Sequence, residues 1–178
     1  MSSVTELLKD PQAVGTWTLD PNRSSFSFTN KTMWGLMNVK GRFTEFSGEG
    51  HVDAGGKVSG RVDVKAASVT TGIKLRDNHL RSADFFEAEN HPDITVTVHR
   101  VDPSEGDGLN VQADLSIRGN TVALPLPARA EVLDDGAVRL TATTTVDRDR
   151  LGVSGNIAGM IPRTTTLLAD AVFRRTGG

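Results

Sequence analysis

The feature that most constrains this chain is a period-two alternation of apolar and polar residues that recurs along most of its length. Val58, Val62, Val64 and Ala66 share a parity, with Arg61, Asp63 and Lys65 between them. Ile94, Val96 and Val98 alternate with Thr95, Thr97 and His99, and the run from Leu109 to Ile117 repeats the rule through Val111, Ala113 and Leu115. The pattern returns in Val138, Leu140, Ala142, Thr144 and Val146, and again from Thr165 through Leu167, Ala169 and Ala171 to Phe173. Successive side chains of a strand point to opposite faces, so each run reads as a strand with one buried face. Trp17 and Leu19, Phe26 and Phe28, and Val39, Gly41 and Phe43 extend the series toward the N-terminus. Phe46 changes parity after Phe43, which places a bulge near Glu45.

Turn-forming clusters separate the runs: Asp53 to Lys57, Pro103 to Gly108, Arg118 to Asn120 and Asp134 to Ala137. Connectors this short join neighbouring antiparallel strands, and about eight or nine strands linked this way make an all-β up-and-down meander. A closed barrel is one solution and a two-sheet sandwich is the other. Residues 71–86 break the β pattern with helix formers and read as a short helical insertion. Asp147 to Pro162 reads as a glycine-bearing loop with a helical turn at its start. Pro125 and Pro127 cannot donate to a ladder, so they belong at an edge, a bulge or a closure seam. Thr5 to Leu8 has the makings of a marginal helix. Residues 1–14 are expected to form an N-terminal extension and residues 15–178 a single domain, a size that buries a core without disulfides.

Composition excludes several functions. A formal charge of -2 with dispersed Arg and Lys offers no basic field for nucleic acid. No cysteine is present, and the four histidines lack ligand spacing, so no metal site or thiol chemistry is expected. Nucleophile-elbow, dinucleotide and phosphate-loop motifs are absent, so no catalytic residue and no cofactor is assigned. The N-terminal residues have neither the basic nor the apolar region of a signal peptide, and no run is long enough to span a bilayer, which predicts a cytoplasmic protein. The inward parity is built mostly of Val, Ala, Leu, Ile and Thr, and aromatics make up 5% of the chain. In an eight-stranded barrel such small side chains favour a ligand cavity, whereas composition by itself favours a dry, packed core.

The segment LRDNHLRSADFF from Leu75 to Phe86 resembles the signature of the YceI-like family, also called polyisoprenoid-binding or lipocalin-like. Supporting segments are WTLDP from Trp17, VKGRFTEFSG from Val39, HPDI from His91, LSIRG from Leu115 and DRDRLGV from Asp147. The resemblance covers roughly Gly15 to Phe173 and implies an eight-stranded antiparallel up-and-down barrel, similar to lipocalins and streptavidin, with a long apolar channel for an isoprenoid chain or quinone-like lipid. Arg23 departs from the family, which often carries histidine there, and no histidine occurs from Asn30 to Gly35.

Under this resemblance the channel lining is expected to include Phe26, Phe28, Phe43, Val96, Val98, Leu115 and Ile117, with Met33 and Trp34 at the mouth. Phe85, Phe86, Leu140 and Ala142 complete it, and an open channel at Ala142 is expected to accept a larger side chain. His79 and Arg81 are the candidates for contact with a polar head group, although a bracing role is favoured for Arg81. The leading reading is binding, storage or transport of an isoprenoid-like lipid. An enzyme acting on such a lipid through Asp77 and His79 is the alternative, and a stress-related protein with an incidental cavity is a third. Sheet edges and an apolar channel mouth both gain from cover, which points to a homodimer.

Overall fold

The computed structural model describes residues 4–32, 37–82, 86–106, 108–151 and 164–177. Helix α1 (Val4–Lys9) leads into β1 (Gly15–Leu19) and β2 (Ser25–Thr32), then β3 (Met37–Phe43) and β4 (Phe46–Val52). Next come β5 (Val58–Lys65), β6 (Val69–Thr70) and helix α2 (Lys74–Arg81). The chain ends with β7 (Asp93–Pro103), β8 (Gly108–Ile117), β9 (Asn120–Val132), β10 (Val138–Asp147) and β11 (Thr164–Gly177). A short 3-10 turn at Arg148–Leu151 follows β10, where a helical turn is expected.

These eleven segments are eight strands of one closed antiparallel barrel. Three of the strands are broken: β1 and β2 share one line, as do β3 with β4 and β5 with β6. Thus β2 pairs β3 while β1 pairs β4, and β4 pairs β5 while β3 pairs β6. From β5 onward each strand pairs the next through β7, β8, β9, β10 and β11. Closure comes from β11, whose first half pairs β2 and whose second half pairs β1. The barrel is therefore the solution taken, and the sandwich is not.

The breaks lie abreast and let three neighbouring strands bend together. At the first, Asp20 N–H donates to the Val172 carbonyl at 2.8 Å and Val172 N–H to Ser24 Oγ at 2.9 Å, so β11 holds the kink from the side. At the second, residues 44–45 are the expected irregularity, tied across by Lys65 N–H to the Glu45 carbonyl at 2.9 Å. The third is a 3-10 turn at Ala66–Ser68. Arg118 and Gly119 form the two-residue turn between β8 and β9 at φ 54° and 77°. A two-residue turn with both φ positive matches the twist of the hairpin, and Arg118 is held there by an ion pair to Glu87 at 3.2 Å.

The prolines of β9 lie at a seam. Its ladder with β8 runs unbroken past Pro125 and Pro127, opposite Gln112 and Asn110. Donors alternate sides along an antiparallel strand, so the two missing N–H groups belong to the side facing β10. There, among the described residues, the ladder covers only Ala128 to Val132 against Ala142 to Val138. The barrel wall is continuous along β10 and β11, by contrast, over ten registered pairs.

Candidate functional site

Among the described residues, the barrel interior holds two separate chambers, one at each end. The first, about 140 Å3, lies under α1. It exists because Gly50 on β4 and Gly60 on β5 are direct partners at inward positions, so two side chains are missing side by side. Trp17, Val98, Leu109, Val111, Leu140 and Phe173 surround the void, and almost all of its lining is apolar. The Trp17 indole is fixed by its Nε1–H, which donates to the Ala13 carbonyl at 2.9 Å. Leu7, Leu8 and Ala13 pack against Trp17, Val52 and Val138, so residues expected to form an extension close this end.

The second chamber, about 90 Å3, lies at the end covered by α2. Phe28, Phe43 and Phe86 form an aromatic group with centroids 5.8 to 6.4 Å apart, and Leu80 reaches down from α2. Gly41 makes room for it: a β-carbon there would lie 2.3 Å from Phe28 Cζ. Leu115, Ile117, Val146 and Leu151 line the walls. One polar pair borders this otherwise oily space, Thr165 Oγ1 donating to Asn30 Oδ1 at 2.6 Å.

A packed layer separates the chambers, which share no lining residue. Phe26 and Phe46 meet edge to face there with centroids 4.8 Å apart. Val96 and Ala113 occupy the same level, each between residues of the two chambers along its strand.

The expected lining residues thus divide four ways. Phe28, Phe43, Phe86, Leu115 and Ile117 border the chamber under α2, whereas Val98 and Leu140 border that under α1. Phe26 and Val96 belong to the dividing layer, whereas Ala142 borders neither chamber but a depression of about 830 Å3 in the wall, together with Ala128 and Ala169. Met33, Trp34 and Phe85 lie outside the described residues. Gly50, Gly60, Trp17 and the Asn30–Thr165 pair were not anticipated. A signal existed for Gly60, which interrupts the valine-rich parity from Val58 to Val64, and for Trp17 and Thr165, which lie on alternating apolar runs.

His79 and Arg81 sit on α2, both half-buried. Arg81 donates from Nε to the Ala67 carbonyl at 2.8 Å, from Nη2 to the Val69 carbonyl at 3.0 Å and from Nη1 to Asn78 at 3.0 Å. These bonds clamp α2 to the strand break below it. Asp77 is buried and accepts from Thr71 N–H at 2.7 Å. Burial alone would raise its pKa, but hydrogen bonds from Thr71 and Thr70 and the charge of Arg81 outweigh that and hold it below the usual carboxylate range. Among the described residues no group of three or more metal-ligating side chains comes together, and no helix is long and apolar enough to cross a membrane.

The sequence pattern of the YceI-like domain matches residues 17–173. A UPF0312 protein of Shewanella baltica is 34% identical over 98 residues, covering 54% of this chain and 51% of the relative. The chain spans about half the length of the curated relatives it matches first. Among solved structures, Burkholderia cenocepacia BcnA aligns with a TM-score of 0.79 at 19% identity, over 86% of this chain and 98% of that one. A polyisoprenoid binding domain from Saccharophagus degradans aligns with a TM-score of 0.74 at 17% identity, over 90% of this chain and 98% of that one. At such identities the two structures establish a shared fold.

Proposed function

The chain belongs to the YceI-like domain family, and we propose on that premise that it binds an apolar, isoprenoid-type lipid inside the barrel as a carrier or store. The observation that carries this reading is the chamber under α1, an apolar void made by the Gly50–Gly60 pair. At about 140 Å3 it compares with an apolar cavity of about 150 Å3 that stays dry and takes up benzene. That is the bulk of about one isoprene unit. Similarity to a domain described as polyisoprenoid-binding supports the ligand class.

The Asn30–Thr165 pair offers a hydrogen-bonding place for a hydroxyl or quinone oxygen at the opposite end, whereas Arg81 is turned to the backbone carbonyls of Ala67 and Val69 and to Asn78. A prenyl chain reaching from one chamber to the other has to displace the Phe26–Phe46 layer, so short prenyl groups are the better fit. An enzymatic role for Asp77 and His79 gains no support, because the Asp77 carboxylate is buried and held ionised by Thr71. Lipid extraction of natively purified protein followed by mass spectrometry, with titration of a short prenol beside a long polyprenol, tests the proposal. The expected result is a co-purifying prenyl lipid and tighter binding of the short prenol. Protein that carries no lipid and rejects both ligands refutes it.

A further inference from the structure

Among the described residues, three large apolar side chains stand exposed, and all three belong to one region of the surface. Leu75 is 82% exposed, Ile73 53% and Leu168 39%. Gly72, directly before Ile73, borders a surface depression together with Leu168, Lys40 and Arg42. Lys74 stands exposed between Ile73 and Leu75, and Lys40 and Arg42 are exposed as well.

Several cations elsewhere are neutralised, although Lys9, Lys57 and Arg129 make no ion pair with a described residue. Arg23, Lys65, Arg100 and Arg139 are each paired with an aspartate. Lys40, Arg42 and Lys74 make no ion pair with any described residue. Of the carboxylates near it, Asp77 is buried against Thr71 and Asp170, two residues after Leu168, is held by Arg139, while Glu45, three residues after Arg42, is exposed. The result is a set of exposed aliphatic side chains ringed by unneutralised cations, beside the helix whose Leu80 borders a chamber.

We propose that this face docks on an anionic lipid bilayer, with Leu75 and Ile73 entering the interface and Lys40, Arg42 and Lys74 meeting the headgroups. Apolar side chains among cations match such a surface, where hydrocarbon lies directly beneath negative charge. Charge complementarity selects the anionic bilayer as the occupant. A second copy of the chain would place the same cations against one another. The docking stands apart from the ligand reading, because vesicles free of prenyl lipid test it.

The experiment is co-flotation of the full chain with phosphatidylcholine vesicles and with vesicles containing phosphatidylglycerol, at low and high salt. Binding is expected on the anionic vesicles only, and to weaken with salt. Leu75→Asp should reduce it roughly tenfold or more, given what a buried leucine contributes. Lys74→Ala should reduce it about fivefold. Leu75 is so exposed that its variant should melt like the parent and still bind a short prenol in solution. The proposal is overturned if the parent ignores anionic vesicles, or if Leu75→Asp binds them as well as the parent does. It is equally overturned if the parent is a dimer that Leu75→Asp dissociates while vesicles go unbound.

Discussion

Replacing Gly50 by leucine puts a side chain into the chamber under α1 without removing any group that holds the barrel. A β-carbon on Gly50 lies 3.6 Å from the Ser59 carbonyl oxygen and 3.9 Å from Trp17 Cβ, which is ordinary contact. On Gly60 the same atom would lie 3.0 Å from the Glu49 carbonyl oxygen, so Gly50 is the position to fill. At about 24 cal/mol per Å3 of cavity, the chamber of about 140 Å3 represents about 3 kcal/mol to whatever fills it, side chain or ligand. Overpacking strain offsets about 1–3 kcal/mol of this, and replacing a strand glycine adds roughly 0.5–1 kcal/mol. Ligand-free Gly50→Leu should therefore be about 0.5–3 kcal/mol more stable than the parent, a rise of roughly 2–4 °C per kcal/mol for a domain of this size.

Ligand binding should fall about a hundredfold, since the ligand loses the same 3 kcal/mol and about 1.4 kcal/mol is a factor of ten. The assay is thermal unfolding of delipidated parent and variant beside a short-prenol titration of both, because retained lipid would itself raise the parent's Tm. Gly41→Ala is the contrasting control: its β-carbon would collide with the Phe28 ring, so it should lower the melting temperature. The reasoning is refuted if Gly50→Leu is destabilised by more than about 3 kcal/mol, which would mean there is no room to fill. Unchanged prenol affinity would refute it too, by placing the ligand elsewhere.

Three further outcomes are expected. Arg81→Ala should lower stability by about 1–2 kcal/mol through loss of its hydrogen bonds to Ala67 and Val69, with prenol affinity in a matched titration unchanged. Asp77→Asn should be less stable than the parent at neutral pH. The folded-state pKa of Asp77 is depressed, so its contribution is present above the ordinary carboxylate value of about 3.9 and is lost as pH falls through the folded value. Denaturant midpoints of the two proteins should accordingly converge in acid, and a constant gap would contradict the assignment. Deleting residues 1–10 removes Leu7 and Leu8 from the end of the first chamber, and should speed prenol release in stopped-flow while lowering stability by about 1–3 kcal/mol.

What the sequence made legible was whatever depends on one strand at a time. Val138 to Val146 reads as an inward parity because no irregularity interrupts its ten registered pairs with β11. Pro125 and Pro127 foretell a seam because a missing donor is a local fact. The chambers depend instead on which residues face each other across strands. Gly50 and Gly60 make a void only because β4 and β5 bring them opposite one another, with Trp17 positioned by Ala13 beside them. Ala142 shows the converse. It lies in register between Ala128 and Ala169, a row of small residues that alone suggests an open channel. But the β9–β10 ladder stops at Ala128, and the three alanines open with Thr141, Thr143 and Ser27 on a depression of about 830 Å3 in the wall, apart from both chambers. A row of small inward residues therefore marks an interior chamber only where the ladders around it are continuous, a condition the glycine pair meets and the alanine row, at the interrupted β9–β10 seam, does not.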